Sequence, residues 1–372
     1  MTIDRRTLLL AGLALPVLSA RASEPVTATD VLGRTVRLAA PARRIVLAQG
    51  RQLNALGLLH PDPVSLLAGW GNDLERQNAD ALARYRARFP AIDALPIVGD
   101  GGTANGFSLE RAIALGPDLV VLSRSLAGTR RGPGDLVEKL EGAGIPVVVV
   151  DFFLEPLRDT VPSLRALGRL IGRDEQADKL IAFYEERMQR VASRVAGATR
   201  PSVFVHAHAG GYDCCMTAGQ GTFNEFVHAA GGRNIAAAML PGATGQIGLE
   251  QLISADPDVY VATGGTHLAK LGGLVLGLGI GEADAEASFA KLLATPSLST
   301  LTAIEKRRAF GFWHLFNDTP LHVVAIEALA KWLHPERFRD IDPAATLAEG
   351  ARFSAIPLDG TLWIAAPAAG KP

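Results

Sequence analysis

The chain has 372 residues, enough for two domains with full cores, and its composition (48% hydrophobic, 20% charged, 39 Gly, 22 Pro) excludes disordered and fibrous classes. A formal net charge of −1 leaves no polycationic surface of the kind that binds nucleic acid. The first residues are more specific. Arg5 and Arg6 stand directly before the apolar run Leu8 to Leu18, and Ser19-Ala20-Arg21-Ala22 supplies a small-residue cleavage site. That run is too short to span a bilayer, and the three-part pattern is a signal peptide over residues 1–22. The paired arginines favour the twin-arginine (Tat) route, and with no Cys near the cleavage site the product is a free periplasmic protein.

Val36 and Arg37 predict an early edge strand after a turn at Gly33. Arg44 to Ala48 is a buried strand, followed by a helix through Leu53, Leu56 and Leu59. Leu136 to Leu140 reads as helix, and Ile145 to Val150 as strand. Unbroken apolar strands alternating with helices mean a parallel sheet covered on both faces. From Leu157 to Val195 apolar residues recur every three or four positions, which predicts one long helix, bent at Gly172, on the order of 55 Å long. The second half repeats the plan. Ser202 to Val205 is a strand, Thr222 to Ala230 a helix, Ala309 to Phe312 a strand and Pro320 to Leu333 a closing helix. Gly264 to Gly281 reads as a Gly-rich surface loop, and the adjacent Cys214 and Cys215 as reduced thiols.

One stretch occurs twice. Ser108-Leu109-Glu110-Arg111 with Pro117-Asp118 and Val120-Val121 returns as Gly248-Leu249-Glu250-Gln251 with Pro257-Asp258 and Tyr260-Val261; positions 110 and 250 set a constant offset of 140. Each copy is a short helix, a Pro-Asp stop and a buried strand. Two copies are too few for a solenoid and predict two similar lobes. The expected fold is α/β, two Rossmann-like lobes with mainly parallel sheets joined by a single long α-helix. Its expected bounds are 23–156 for the first lobe, 157–198 for the helix, 199–366 for the second lobe and 367–372 for a tail.

This order of elements, with the repeated Leu-Glu motif, resembles the class III periplasmic substrate-binding proteins of ABC importers for ferric siderophores, cobalamin and heme, over roughly residues 24–365. The resemblance implies that Glu110 and Glu250, one per lobe, dock onto arginines of the membrane permease. It also implies a monomer without cofactor; the expected ligand is a ferric siderophore or similar Fe(III) chelate, with heme or cobalamin as the alternatives. Taken singly, each glutamate is better explained by the preference for acids in a helix's first turn, and it is their matched placement in two lobes that points to docking.

Ligands of open α/β sheets sit outside the carboxyl ends of the strands. The loops there supply Gln49, Arg51, Gln52, Ser123, Arg124, Ser125 and Trp70 from the first half, and His206, His208, Tyr212, Thr263, Thr266, His267, Trp313, His314 and Phe316 from the second. Arginines beside aromatic rings suit an anionic, partly flat chelate, although Trp313 and Phe316 also fit as core residues. Arg130 and Arg131, in a Gly-rich loop, read as solvated cations that could close over an acidic ligand. For heme, the second lobe offers Tyr212, His206 and His314 as axial ligands. A competing reading takes His206-Ala207-His208 as a zinc pair of a hydrolase, completed by His267, His314 and Asp318. Against it, that pair would have to open the first strand of a barrel, and here it opens the second half.

Overall fold

The computed structural model describes residues 25–128, 134–212 and 214–366; the expected signal peptide, Arg130, Arg131 and the tail lie outside them. A hairpin of β1 (Val26–Thr29) and β2 (Thr35–Leu38) turns at Gly33, whose φ of +78° favours glycine, and forms a small sheet of its own instead of an edge of the main one. The first lobe is built on β3 (Ile45–Leu47), β4 (Leu67–Gly71), β5 (Ile97–Gly99), β6 (Leu119–Ser123) and β7 (Val147–Val150). They run parallel in the order β5-β4-β3-β6-β7. Ile45 and Leu47 enter one core cluster and Val46 the other, the alternation of a strand packed on both faces.

The second lobe is mixed. β8 (Ser202–His206), β10 (Arg233–Asn234), β12 (Val259–Gly264) and β14 (Ala309–Trp313) are parallel. β9 (Met216–Ala218), β11 (Thr244–Gln246) and β16 (Trp363–Ala365) join them antiparallel, giving the order β11-β9-β8-β12-β14-β16 with β10 also on β8. A two-residue ladder of β13 (Gly277–Leu278) and β15 (Gly360–Thr361) stands apart.

The duplication is real in three dimensions. β6 lies beside β3 and β12 beside β8, and each is preceded by a short helix, Leu109–Ala114 in one lobe and Leu249–Ala255 in the other.

The helices of the first half that bear on the cleft, the duplicated motif and the lobe seam are α1 (Gln52–Leu59), α2 (Ala79–Arg88), α3 (Leu109–Ala114) and α4 (Pro156–Leu170). The stretch expected as one helix is two. α4 ends just before Gly172, a left-handed residue at φ +67°, and α5 (Asp174–Val195) starts afresh. The two pack side by side so tightly that a Cβ on Gly168 would fall 2.4 Å from that of Ala177. α4 lies on the first lobe, against β1 and β7. α5 alone carries the chain from one lobe to the other. At its start Arg173 donates to His60 Nε2 (3.0 Å) and Gln176 to the Leu58 carbonyl (3.3 Å). At its end Arg190 holds Glu327 (2.5 Å) and Arg194 holds Asp340 (2.6 Å). Its 22 residues span about 33 Å, well short of the length expected for the undivided helix.

The second lobe carries α6 (Thr222–Ala229), α7 (Leu249–Ala255) and α8 (His322–Leu333). α8 does not close the chain, because a further helix at Pro343–Gly350 and the strands β15 and β16 come after it.

Candidate functional site

The carboxyl ends of both sheets face each other across a cleft, and the first lobe's side of it is organised by Asp73. Its side chain is wholly buried and accepts from the Gly50 amide (2.5 Å) and the Arg51 amide (3.4 Å), while Gln49 donates to the Gly101 carbonyl (2.9 Å). Gly101 has no substitute: its φ is +66° and a Cβ would land 2.1 Å from Asp73 Oδ1.

Arg51 then crosses the cleft. Its Nε lies 2.8 Å from Asp318 Oδ2 and 3.4 Å from Asp73 Oδ2, and Nη1 donates to Gln77 (2.9 Å). Expected as a ligand-binding residue, Arg51 here clamps two buried carboxylates of opposite lobes. Burial pushes the Asp73 carboxyl up to about 6 against the pull of Arg51, and raises Asp318 as well. Asp73 thus takes up a proton in the folded state between about pH 6 and 4, before the unfolded chain does, so its contribution to stability improves as pH falls through that window. Asp73→Asn removes this gain. The urea midpoint of the variant, relative to wild type, should therefore stand higher at pH 7 than at pH 5; an offset independent of pH would rule out Asp73 titration there.

The second wall is histidine. β8, β12 and β14 end side by side and deliver His206, His208, His267 and His314. His208 Nδ1 lies 2.9 Å from His267 Nε2, and its ring stacks on His314 at 3.8 Å between centroids. His208 sits at φ +49°, a conformation non-glycine residues avoid, held by its amide on Thr263 (3.0 Å) and by the two rings. His314 is fully engaged, by Thr263 at Nδ1 (2.8 Å) and Asn317 at Nε2 (3.2 Å). Burial drives His206 and His208 down to about 4 and lowers His267 and His314, so the cluster is neutral at pH 7. The pair drawn for a zinc hydrolase diverges: His206 Nδ1 meets the Tyr260 hydroxyl (2.7 Å), while His208 turns to His267. Among the described residues no three His, Cys, Asp or Glu side chains are grouped to hold a metal ion.

Asp80, in the first turn of α2, faces His267 across the cleft and opposes the lowering of its pKa. Asp80 Oδ2 and His267 Nδ1 are both buried without a hydrogen-bond partner, as are Gln49 Oε1, Gln52 Oε1 and Asn78 Nδ2. Such atoms are costly to bury unpaired, so polar groups gather here that a ligand can satisfy. Asn78, Tyr85, Trp313 and Phe316 line a small, partly open cavity of about 30 Å³ between the lobes. That is room for about one or two waters, so a larger ligand would need the lobes to part. Besides the Arg51 clamp, the parting breaks the bond from Arg84 to Asp359 (2.5 Å) and the bond from the Ala355 amide to the Gly57 carbonyl (2.8 Å).

Other expectations change. Arg124 is buried and paired with Asp159 on α4 (2.7 Å), locking loop to helix instead of reaching for a ligand. Trp70 is buried in β4 against Gly50, where an added Cβ would meet its ring at 2.8 Å. Tyr212 is 55% exposed and meets His208 edge-on at 5.9 Å. The Gly-rich stretch is no surface loop: Leu268, Leu274, Leu276 and Leu278 are buried, and a short helix at Thr266–Leu271 carries His267. Cys214 and Cys215 are bonded to each other as a vicinal disulfide, a bond that an oxidising compartment permits. Asp73, Asn78 and Asp80 were not expected at all. The missed signal was β4: Asn72 and Asp73 directly follow its carboxyl end.

Glu110 and Glu250 are exposed in the first turns of α3 and α7. Ser108 caps α3 by accepting from the Arg111 amide (3.4 Å), and at α7 Gln251 accepts from the Gly248 amide (2.8 Å). Both helices begin at the carboxyl end of their own sheet, since Ser108 follows β5 and Ile247 bonds Cys215 just before β9.

Residues 58–312 match the family model described as periplasmic binding protein. The chain belongs to this family. Its relatives include the Fe(3+) dicitrate-binding periplasmic protein FecB of Escherichia coli (strain K12), 27% identical over 249 residues, which are 67% of this chain and 74% of that protein. The vitamin B12-binding protein of Salmonella typhimurium is 28% identical over 165 residues, 44% of this chain and 57% of that protein. In structure, the TroA-like periplasmic binding protein FepB from Veillonella parvula superposes with a TM-score of 0.82 at 25% identity, over 92% of this chain and all of that one. The two-lobed α/β architecture of this periplasmic binding protein is thereby shared with solved structures. No helix among its described residues is long and apolar enough to cross a membrane.

Proposed function

We propose that this periplasmic binding protein captures an iron chelate, of the ferric siderophore class, in the periplasm and delivers it to an ABC importer without altering it. The observation that carries this reading is the set of unpartnered polar atoms on both cleft walls (Gln49, Gln52, Asn78, Asp80 and His267) beside Trp313 and Phe316. A polar ligand with flat portions satisfies the former and stacks on the latter. When the lobes part, Arg51 loses Asp318, and an acidic arm of a chelate can take that place. The likeness to FecB supports iron as the cargo. Cobalamin is the second reading, supported by the vitamin B12-binding relative. Heme is a weaker third, resting on the neutral imidazoles and exposed Tyr212 at the cleft. In this reading the protein acts as a monomer without cofactor, and Glu110 and Glu250 meet basic residues of the importer's permease.

Tryptophan fluorescence, with Trp313 inside the cleft, tests the assignment against ferric citrate, ferric catecholates, ferric hydroxamates, heme and cobalamin. Sub-micromolar quenching by one ferric chelate is the expected result. Quenching by cobalamin or heme alone would overturn it.

A further inference from the structure

Six large apolar side chains are prominently exposed among the described residues, and two of them occupy the same place in the duplicated motif. Ile113 is 40% exposed and Ile253 47%. Each stands three residues after its glutamate, on the neighbouring position of the same helix face. The inner face of each helix is accounted for by Ala112 and Leu252, both fully buried. Nothing local asks for isoleucine at the outer positions, since a β-branched residue is a mediocre helix former. Glu110 and Glu250 make no ion pair among the described residues, although Arg34, Arg84 and Arg86 elsewhere on the surface are engaged. In the first lobe Ile97, 45% exposed on β5, is tied to the same helix, since its carbonyl accepts from Arg111 of α3 (3.4 Å).

An exposed isoleucine on its own is unremarkable. A free carboxylate with an exposed isoleucine one turn on, in the same structural position of both lobes, is a surface made twice. We infer that Ile113 and Ile253 are the apolar anchors of the docking surface, each seating in an apolar socket beside a basic residue. The partner is the permease pair of the ABC importer, which presents that socket once per subunit. This rests on the permease-docking reading and adds to it the groups that supply affinity, whereas the carboxylates supply orientation and encounter rate.

The test uses the mature full-length protein and the importer that restores uptake together with it, reconstituted in nanodiscs. Ile113→Gln with Ile253→Gln should weaken binding to the nanodiscs by roughly thirty-fold or more, about five- to tenfold for each half-exposed side chain. Ferric chelate titration and the melting temperature should stay at wild-type values, and the Ile113→Val with Ile253→Val variant should bind within about threefold of wild type. The comparator is Glu110→Arg with Glu250→Arg. If the glutamine variant binds like wild type while the charge reversal abolishes binding, the anchors are refuted and the docking reading stands. If both variants bind like wild type, the docking reading itself falls, and the anchors with it.

Discussion

Replacing Arg51 with methionine should lower the unfolding free energy by about 3–5 kcal/mol at pH 7.5. The size follows from what the change leaves behind. Asp73 has no solvent-exposed side-chain surface and Asp318 only 8%, and Arg51 is the cation paired with both. Without it, two buried carboxylates face each other across the cleft, and burial already raises both pKa values in its presence. One of them must then protonate or the lobes must separate to hydrate them. The cost should therefore shrink at pH 5, and adding Asp73→Asn and Asp318→Asn to the same chain should restore most of the loss. Urea denaturation of the single and triple variants at both pH values measures this. A loss below about 1 kcal/mol at pH 7.5 would mean that the clamp is an ordinary surface pair.

Arg190→Ala should be of similar size, about 3–5 kcal/mol, for the same reason in a different place. Glu327 has a fully buried side chain on α8, and Arg190 on α5 reaches it through Nη2 (2.5 Å) and Nε (3.2 Å). Its other oxygen is buried without a partner, so the arginine is what compensates the charge. Arg190→Ala strands the carboxylate, whereas Arg190→Leu with Glu327→Leu removes charge and counter-charge together and should be nearly neutral. The order of urea midpoints decides it: the single variant should be far less stable than the double. If the double is the worse of the two, packing around the pair dominates over its electrostatics.

Much of the frame was legible because it rests on short-range pattern. The unbroken runs at Ile45–Leu47 and Val147–Val150 could only be buried parallel strands, and the motif pair at an offset of 140 set two alike lobes. The split of the long helix was not legible, since Leu167, Ile171 and Leu180 all face one core cluster and keep the apolar spacing going across the turn at Gly172. β4 was missed because Gly69 and Gly71 interrupt Leu67–Gly71, and with it went Asp73. The Gly-rich stretch misled for the opposite reason: its glycines allow close backbone approach in a buried segment, such as Gly264 against Leu274.

The cations were read from the sequence without their partners. Arg51 and Arg124 stand where a ligand could reach them, yet their partners, Asp318 and Asp159, lie in other parts of the chain, and pairing at such separations leaves no local trace. The histidines fared better in place than in role. His208 and His267 do meet at the cleft, but His206 and His314 are consumed by Tyr260, Thr263 and Asn317.

The turn at Gly172 has a practical consequence. Every strand of the five-stranded sheet precedes it and every strand of the second sheet comes after it, so α5 is the one covalent crossing between lobes. A break in the backbone at that glycine divides the protein into two fragments, each with a complete sheet. Reassembly then depends on the non-covalent seam, which includes α5 on α1 and α4, α4 on α6, Arg51 on Asp318, Arg84 on Asp359 and the Ala355 amide on the Gly57 carbonyl. The periplasmic receptor is, in that sense, built as a natural candidate for a split reporter.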